Sequence, residues 1–258
     1  MLANKIRLLA RQYLSRETRR TLARLAVWPP VGWVRFGDLR RLQPISSDYG
    51  NSRGLEIDRY YIEKFLAEHA DDIHGRVLEI KHNTYTKKYG QERVIQSDIL
   101  HPVEGNPDAT IVADLANADH LPSNCYDAII FTQTLQVIYD IRTVIATLHR
   151  ILKPGGVLLA TVSGMAQISL GDFDQWGEYW RFTSLSARLL FEEAFSTGNV
   201  IVQPYGNVLA AISFLEGLAC EDLTQSELDA RDRSYEVLIA IRAVKSEHTD
   251  ASYGDFHK

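Results

Sequence analysis

The apolar positions change period along the chain, and the changes mark its elements. Leu2, Ile6, Leu9 and Tyr13 recur at spacings of four, three and four, with Leu14, Leu22 and Leu25 later and arginines between them. This spacing predicts an amphipathic basic helix over 2–26. Trp28-Pro29-Pro30 stops it, because proline cannot continue a helix and restricts the residue before it. Residues 28–54 are rich in Gly, Pro and Ser and read as an ordered linker. From 55 onward helix and strand periods alternate. Ile57 to Glu68 carries Tyr61, Phe65 and Leu66 at helical spacing, and Arg76 to Ile80 is a short apolar strand. Arg93 to Gln96, Ala109 to Val112 and Tyr126 to Phe131 follow as strands. A helix over 137–152 leads through Lys153-Pro154-Gly155-Gly156 to a fifth strand, Val157 to Val162. Ser184 to Ala194 is helical, and Asn199 to Gln203 with Tyr235 to Val244 reads as a closing pair of strands. Near-continuous apolar strands separated by helices predict an α/β doubly wound, mostly parallel, seven-stranded sheet with an N-terminal helical extension. The expected division is 1–54 for basic helix and linker, 55–245 for the sheet domain and 246–258 for a polar tail.

Composition narrows the class. The chain has 258 residues, 45% of them hydrophobic and 24% charged, which is ordinary globular usage and excludes disorder and coiled-coil rods. The net charge of −5 is uneven: residues 1–41 carry ten basic side chains against Glu17 and Asp38. A basic head on an acidic body argues against nucleic acid as substrate. The head suits an anionic membrane surface, a protein partner, or packing on its own domain. No run approaches the roughly 18–20 apolar residues of a membrane span, and charges interrupt the first apolar stretch too often for a signal peptide. Cys125 and Cys220 stand far apart with no metal-ligand spacing, so neither a disulfide framework nor a zinc site is expected. The expected location is the cytoplasm, peripheral to the inner membrane if the head binds lipid.

In an open parallel sheet, ligands sit beyond the carboxyl ends of the strands, near the point where strand order reverses. Strand one ends in Glu79 and runs into Lys81-His82-Asn83-Thr84-Tyr85-Thr86. Strand two runs into Ser97-Asp98-Ile99, strand three into Ala113-Asp114-Leu115, and strand four into Thr132-Gln133. A carboxylate after strand two can accept both hydroxyls of a ribose in a fork, and one after strand three can accept from an exocyclic adenine amine. Each acid alone also suits a turn or helix cap. Three at successive strand ends point to a nucleoside-containing ligand.

With Val77-Leu78-Glu79-Ile80, Asp98, Ala113-Asp114-Leu115, Leu121-Pro122, Tyr126 to Ile130, and Leu148 to Gly156 in that order, residues 55–245 resemble the class I S-adenosylmethionine-dependent methyltransferases. The resemblance implies a Rossmann-like methyltransferase fold with S-adenosyl-L-methionine as cofactor. It implies contacts to that cofactor from Glu79, Lys81, Asn83, Asp98, Ile99, Asp114, Leu115, Thr132 and Gln133. Arg59 to Glu63 and Asn83 to Thr86 are similar to runs in methyltransferases found beside bacterial glycosyltransferases. That likeness implies O-methylation of a sugar or other small polar acceptor in glycan biosynthesis, with a glycosyltransferase or membrane partner reached through residues 2–26. The family's first motif places glycines where this chain has Lys81, Asn83 and Tyr85. Asn83 is expected to take the left-handed turn, while Lys81 and Tyr85 are expected to crowd the cofactor. The alternative is therefore a non-catalytic methyltransferase-fold domain that serves as a scaffold. Relatives carry a histidine after strand four, where this chain has Gln136, which can orient a hydroxyl but cannot take its proton. Asp172 and Asp174, among Trp176, Tyr179 and Trp180, are the other candidate catalytic residues, since aromatic faces with carboxylates suit a sugar. No metal is expected.

Overall fold

The computed structural model describes residues 13–15, 17–18, 29 and 32–247. The basic helix expected over 2–26 lies almost wholly outside them, as does most of the tail expected over 246–258. The chain divides into two compact units, residues 1–44 and residues 45–258. In the first, the described residues include a short 3-10 turn, Gly37–Leu39. The second begins at Ile45 because the segment expected to be linker is laced to residues 216–222. Ser46 N donates to Glu216 O (3.1 Å) and Cys220 N to Leu55 O (2.8 Å). Arg53 forks onto Asp222 at 3.0 and 2.7 Å.

In chain order this unit contains α1 (Ile57–Glu68), β1 (Gly75–Ile80), β2 (Val94–His101), β3 (Ile111–Val112), β4 (Tyr126–Thr132), α2 (Ile141–Ile151) and β5 (Leu152–Ser163). It continues with α3 (Leu170–Gln175), α4 (Ser184–Phe195), β6 (Val200–Tyr205), α5 (Val208–Leu215), α6 (Gln225–Asp229) and β7 (Leu238–Val244). The sheet order is β3-β2-β1-β4-β5-β7-β6, parallel except for β7, which runs antiparallel to both neighbours. This is the doubly wound α/β fold expected, with its order reversing between β1 and β4.

Side-chain period explains the two layers. In β1, Leu78 faces a core built with Leu100, Ile129, Leu158, α2 and α4, whereas Val77 faces a second core with Ala128, Ile130, Leu159 and α1. On α1, Ile57, Tyr61, Ile62, Phe65 and Leu66 are all buried at helical spacing. Burial of such side chains contributes about 1.5–3 kcal/mol each and holds the helix on the sheet. α2 starts at Ile141, not 137, because Asp140 caps it by accepting from Thr143 N and Thr143 Oγ1 (3.2 and 2.7 Å). The Pro-Gly-Gly run lies within β5, at a register irregularity opposite β4 between Tyr126 and Ala128. A side chain at Gly156 would meet the carbonyl oxygens of Lys153 and Tyr126 at 2.9 and 3.0 Å, so only glycine fits there. Among the described residues no helix is long and apolar enough to cross a membrane.

β2 differs most from expectation. It does not stop at Gln96 but continues to His101, pairing Leu78 with Asp98 and Ile80 with Leu100. Ile99 and Leu100 extend the apolar run, and a carboxylate inside the strand is tolerated because Arg76 on β1 neutralises it (Nε to Oδ2, 2.7 Å).

Candidate active site

β1 ends at Ile80, and the chain turns at once through Lys81, which holds φ +71°. The left-handed residue in this loop is therefore Lys81 and not Asn83. A non-glycine residue in that conformation costs about 1–2 kcal/mol, so something must hold the loop. Glu79 does so from a fully buried position. Its Oε1 accepts from Tyr85 N (3.2 Å) and faces His82 Nδ1 (3.2 Å), while Oε2 accepts from Thr86 N (2.8 Å) and Thr86 Oγ1 (2.7 Å). Glu79 thus replaces glycine flexibility with a fixed acceptor, and its carboxylate is consumed by the loop. Tyr85, expected to crowd the cleft, is buried in the α1 core with its hydroxyl accepting from Arg59 (3.1 Å). Asn83 donates to Ser97 Oγ (3.1 Å).

The loops after β1, β2, β3 and β4, together with the insertion carrying α3, surround one cleft of about 770 Å³. That volume suits a cofactor-sized ligand. Of the residues predicted from sequence, Lys81, Asp114, Leu115, Thr132, Gln133 and Asp172 line it. Asp114 also caps a 3-10 turn, accepting from Ala116 N (3.0 Å) and Asn117 Nδ2 (2.7 Å).

The remaining predicted residues lie elsewhere. Asp98 sits inside β2, 6% exposed, bonded to Arg76 and also to Gln96 (3.3 Å) and Thr110 (3.3 Å). It is not at a strand end, and Ile99 beside it is buried on the opposite face. Gln136 is buried beneath the cleft, where Nε2 donates to Gln133 Oε1 (2.7 Å) and Gln133 O (3.1 Å) and Oε1 has no partner among the described residues. Its backbone oxygen accepts from Tyr179 N (2.8 Å), so Gln136 anchors the insertion rather than facing an acceptor. Asp174 is exposed on α3 and outside the cleft lining, and Glu79 and Asn83 are outside it too.

Sequence reading missed His101, Tyr139 and Asp140, all of which line the cleft. The uninterrupted Ile99-Leu100 run was the signal for His101, since it carries the strand past Asp98. Tyr139 packs against Tyr179 (ring centroids 5.4 Å) and Trp180 (6.0 Å), making an aromatic wall with Trp176. Asp140 is held below the usual carboxylate range by its bonds from Thr143. The lining includes Arg59 from α1, Lys81 and His82 from the loop after β1, and the carboxylates of Asp114, Asp140 and Asp172.

Residues 63–160, which run from α1 into β5 and include the loops after β1 to β4, match the model of a methyltransferase domain. No curated protein matches the chain at a significant level. Among solved structures, it is similar to an S-adenosylmethionine-dependent methyltransferase from Mesorhizobium loti. That match has 17% identity and a TM-score of 0.49, covering 73% of this chain and 98% of that one. It is also similar to one from Archaeoglobus fulgidus, with 14% identity and a TM-score of 0.48, covering 72% of this chain and 94% of that one.

Proposed function

We propose that the chain is an S-adenosylmethionine-dependent methyltransferase that methylates an oxygen of a sugar or another small polar acceptor in glycan biosynthesis. Lys81, Asp114, Leu115, Thr132 and Gln133 would hold the cofactor, which when bound supplies a methyl group on a positively charged sulfur. Displacement from a sulfonium needs no acid for the leaving group, so the protein's task is alignment and removal of the acceptor's proton. The observation that carries the sugar reading is the aromatic wall of Tyr139, Trp176 and Tyr179 beside Asp140 and Asp172 on one cleft. Aromatic faces cover the apolar face of a pyranose, and carboxylates accept from its hydroxyls. Asp172 is the candidate base, because no hydrogen bond from the described residues occupies its carboxylate, whereas that of Asp140 is committed to Thr143. The likeness of Arg59 to Glu63 and Asn83 to Thr86 to methyltransferases beside bacterial glycosyltransferases supports the same acceptor class.

Calorimetric titration of the full chain with S-adenosylmethionine tests the cofactor half, with saturable binding expected. No binding up to millimolar cofactor by folded protein overturns it and leaves the scaffold reading. Labelled cofactor offered with a panel of glycosides and amines tests the acceptor half. Mass spectrometry should place the methyl on a sugar oxygen, and label found only on nitrogen refutes the assignment.

A further inference from the structure

The end of β2 lies beside the strand-order switch, where an α/β fold meets the ribose of a nucleotide. Asp98 does not occupy that end. β2 runs three residues further, Lys81 N donates to Leu100 O (2.9 Å), and the chain enters the cleft as Leu100-His101-Pro102-Val103. Of these four, only His101 has a side chain able to form a hydrogen bond. Its ring is fixed from two sides. Nδ1 lies 2.7 Å from Val103 O, and the ring meets Trp176 of the insertion nearly edge-on, with centroids 6.1 Å apart at 78°. A carbonyl oxygen can only accept, so Nδ1 carries the proton and Nε2 of the neutral ring is an acceptor.

We propose that His101 takes the place of the ribose carboxylate in this chain, with Nε2 accepting one cofactor hydroxyl where an acid would accept two. The proposal rests on the cofactor reading above. It departs from the forked carboxylate in a way that can be measured, because one acceptor atom makes the two ribose hydroxyls unequal. It also ties cofactor binding to the acceptor wall, since the ring that meets the ribose packs on Trp176.

The test is calorimetric titration of wild-type protein, His101→Ala and His101→Asp with S-adenosylhomocysteine and its 2′-deoxy and 3′-deoxy analogues. Wild type should lose about five- to tenfold in affinity for one deoxy analogue, as for one hydrogen bond, and little for the other. His101→Ala should bind the parent compound about as weakly and no longer distinguish that analogue, the non-additivity expected of interacting partners. His101→Asp, with two acceptor oxygens, should make both hydroxyls count. If wild type binds S-adenosylhomocysteine but His101→Ala discriminates as wild type does, or if both hydroxyls matter equally in wild type, the His101 assignment fails alone. If folded wild type does not bind S-adenosylhomocysteine, the cofactor reading fails and takes this assignment with it.

Discussion

Replacing Glu79 by glutamine tests whether this side chain belongs to the fold or to a ligand. The carboxylate offers two oxygens to four donors: Oε1 to Tyr85 N and His82 Nδ1, and Oε2 to Thr86 N and Oγ1. An amide can keep its oxygen on the Thr86 pair, which has the shorter contacts, but its NH₂ then faces Tyr85 N, donor against donor. One buried backbone N–H goes unpaired at about 1–3 kcal/mol, and the two bonds that remain lose their charge assistance. The expected destabilisation is about 2–3 kcal/mol, which for a folded unit of this size lowers Tm by about 5–10 °C. Thermal unfolding followed by circular dichroism reads it directly. A Tm unchanged within error would mean that Glu79 does not hold the loop and that the strain at Lys81 is borne elsewhere.

Asp98→Asn should cost about 1–2 kcal/mol in urea unfolding through the Arg76 pair, yet leave the Kd for S-adenosylhomocysteine within about twofold, and a tenfold loss of affinity would restore Asp98 to the ligand site. At Lys81, the left-handed backbone makes valine the worse replacement: Lys81→Val should fall about 1–2 kcal/mol below Lys81→Gly in denaturant titration, and equal midpoints would refute the strain. Hydrogen bonds from Gln225, Lys64 and Tyr60 hold the Asp229 carboxylate well below the usual range. Its folded pKa is depressed, so its contribution is present above about pH 4 and lost as pH falls through the folded value. The stability gap between wild type and Asp229→Asn should accordingly shrink on acidification from pH 6 to pH 2, and a gap that widens would contradict this sign.

The architecture was legible in the chain's local patterns. Its strand runs and helical stripes are local patterns, and each apolar residue reports its own burial: Ile57 to Glu68 is α1 residue for residue, and β1, β4, α4 and β7 fall within three residues of their expected bounds. The Pro-Gly-Gly run and the apolar strands fixed the order of the elements, and the strand-end rule pointed to the cleft that Lys81, Asp114, Thr132 and Gln133 line. Register was decided only by the tertiary structure. Whether Asp98 ends β2 or lies inside it depends on Arg76, which approaches from the neighbouring strand and makes a buried carboxylate tolerable. That ion pair crosses from one strand to another, so no local pattern signals it, and it moves the cleft end of β2 to His101. The same holds for Glu79 and Gln136. Their residue types suit ligand chemistry, but the loop after β1 folds back so that Tyr85 and Thr86 take the Glu79 carboxylate, and Gln136 is turned under the cleft with its amide on Gln133 and its backbone oxygen holding Tyr179 of the distant insertion.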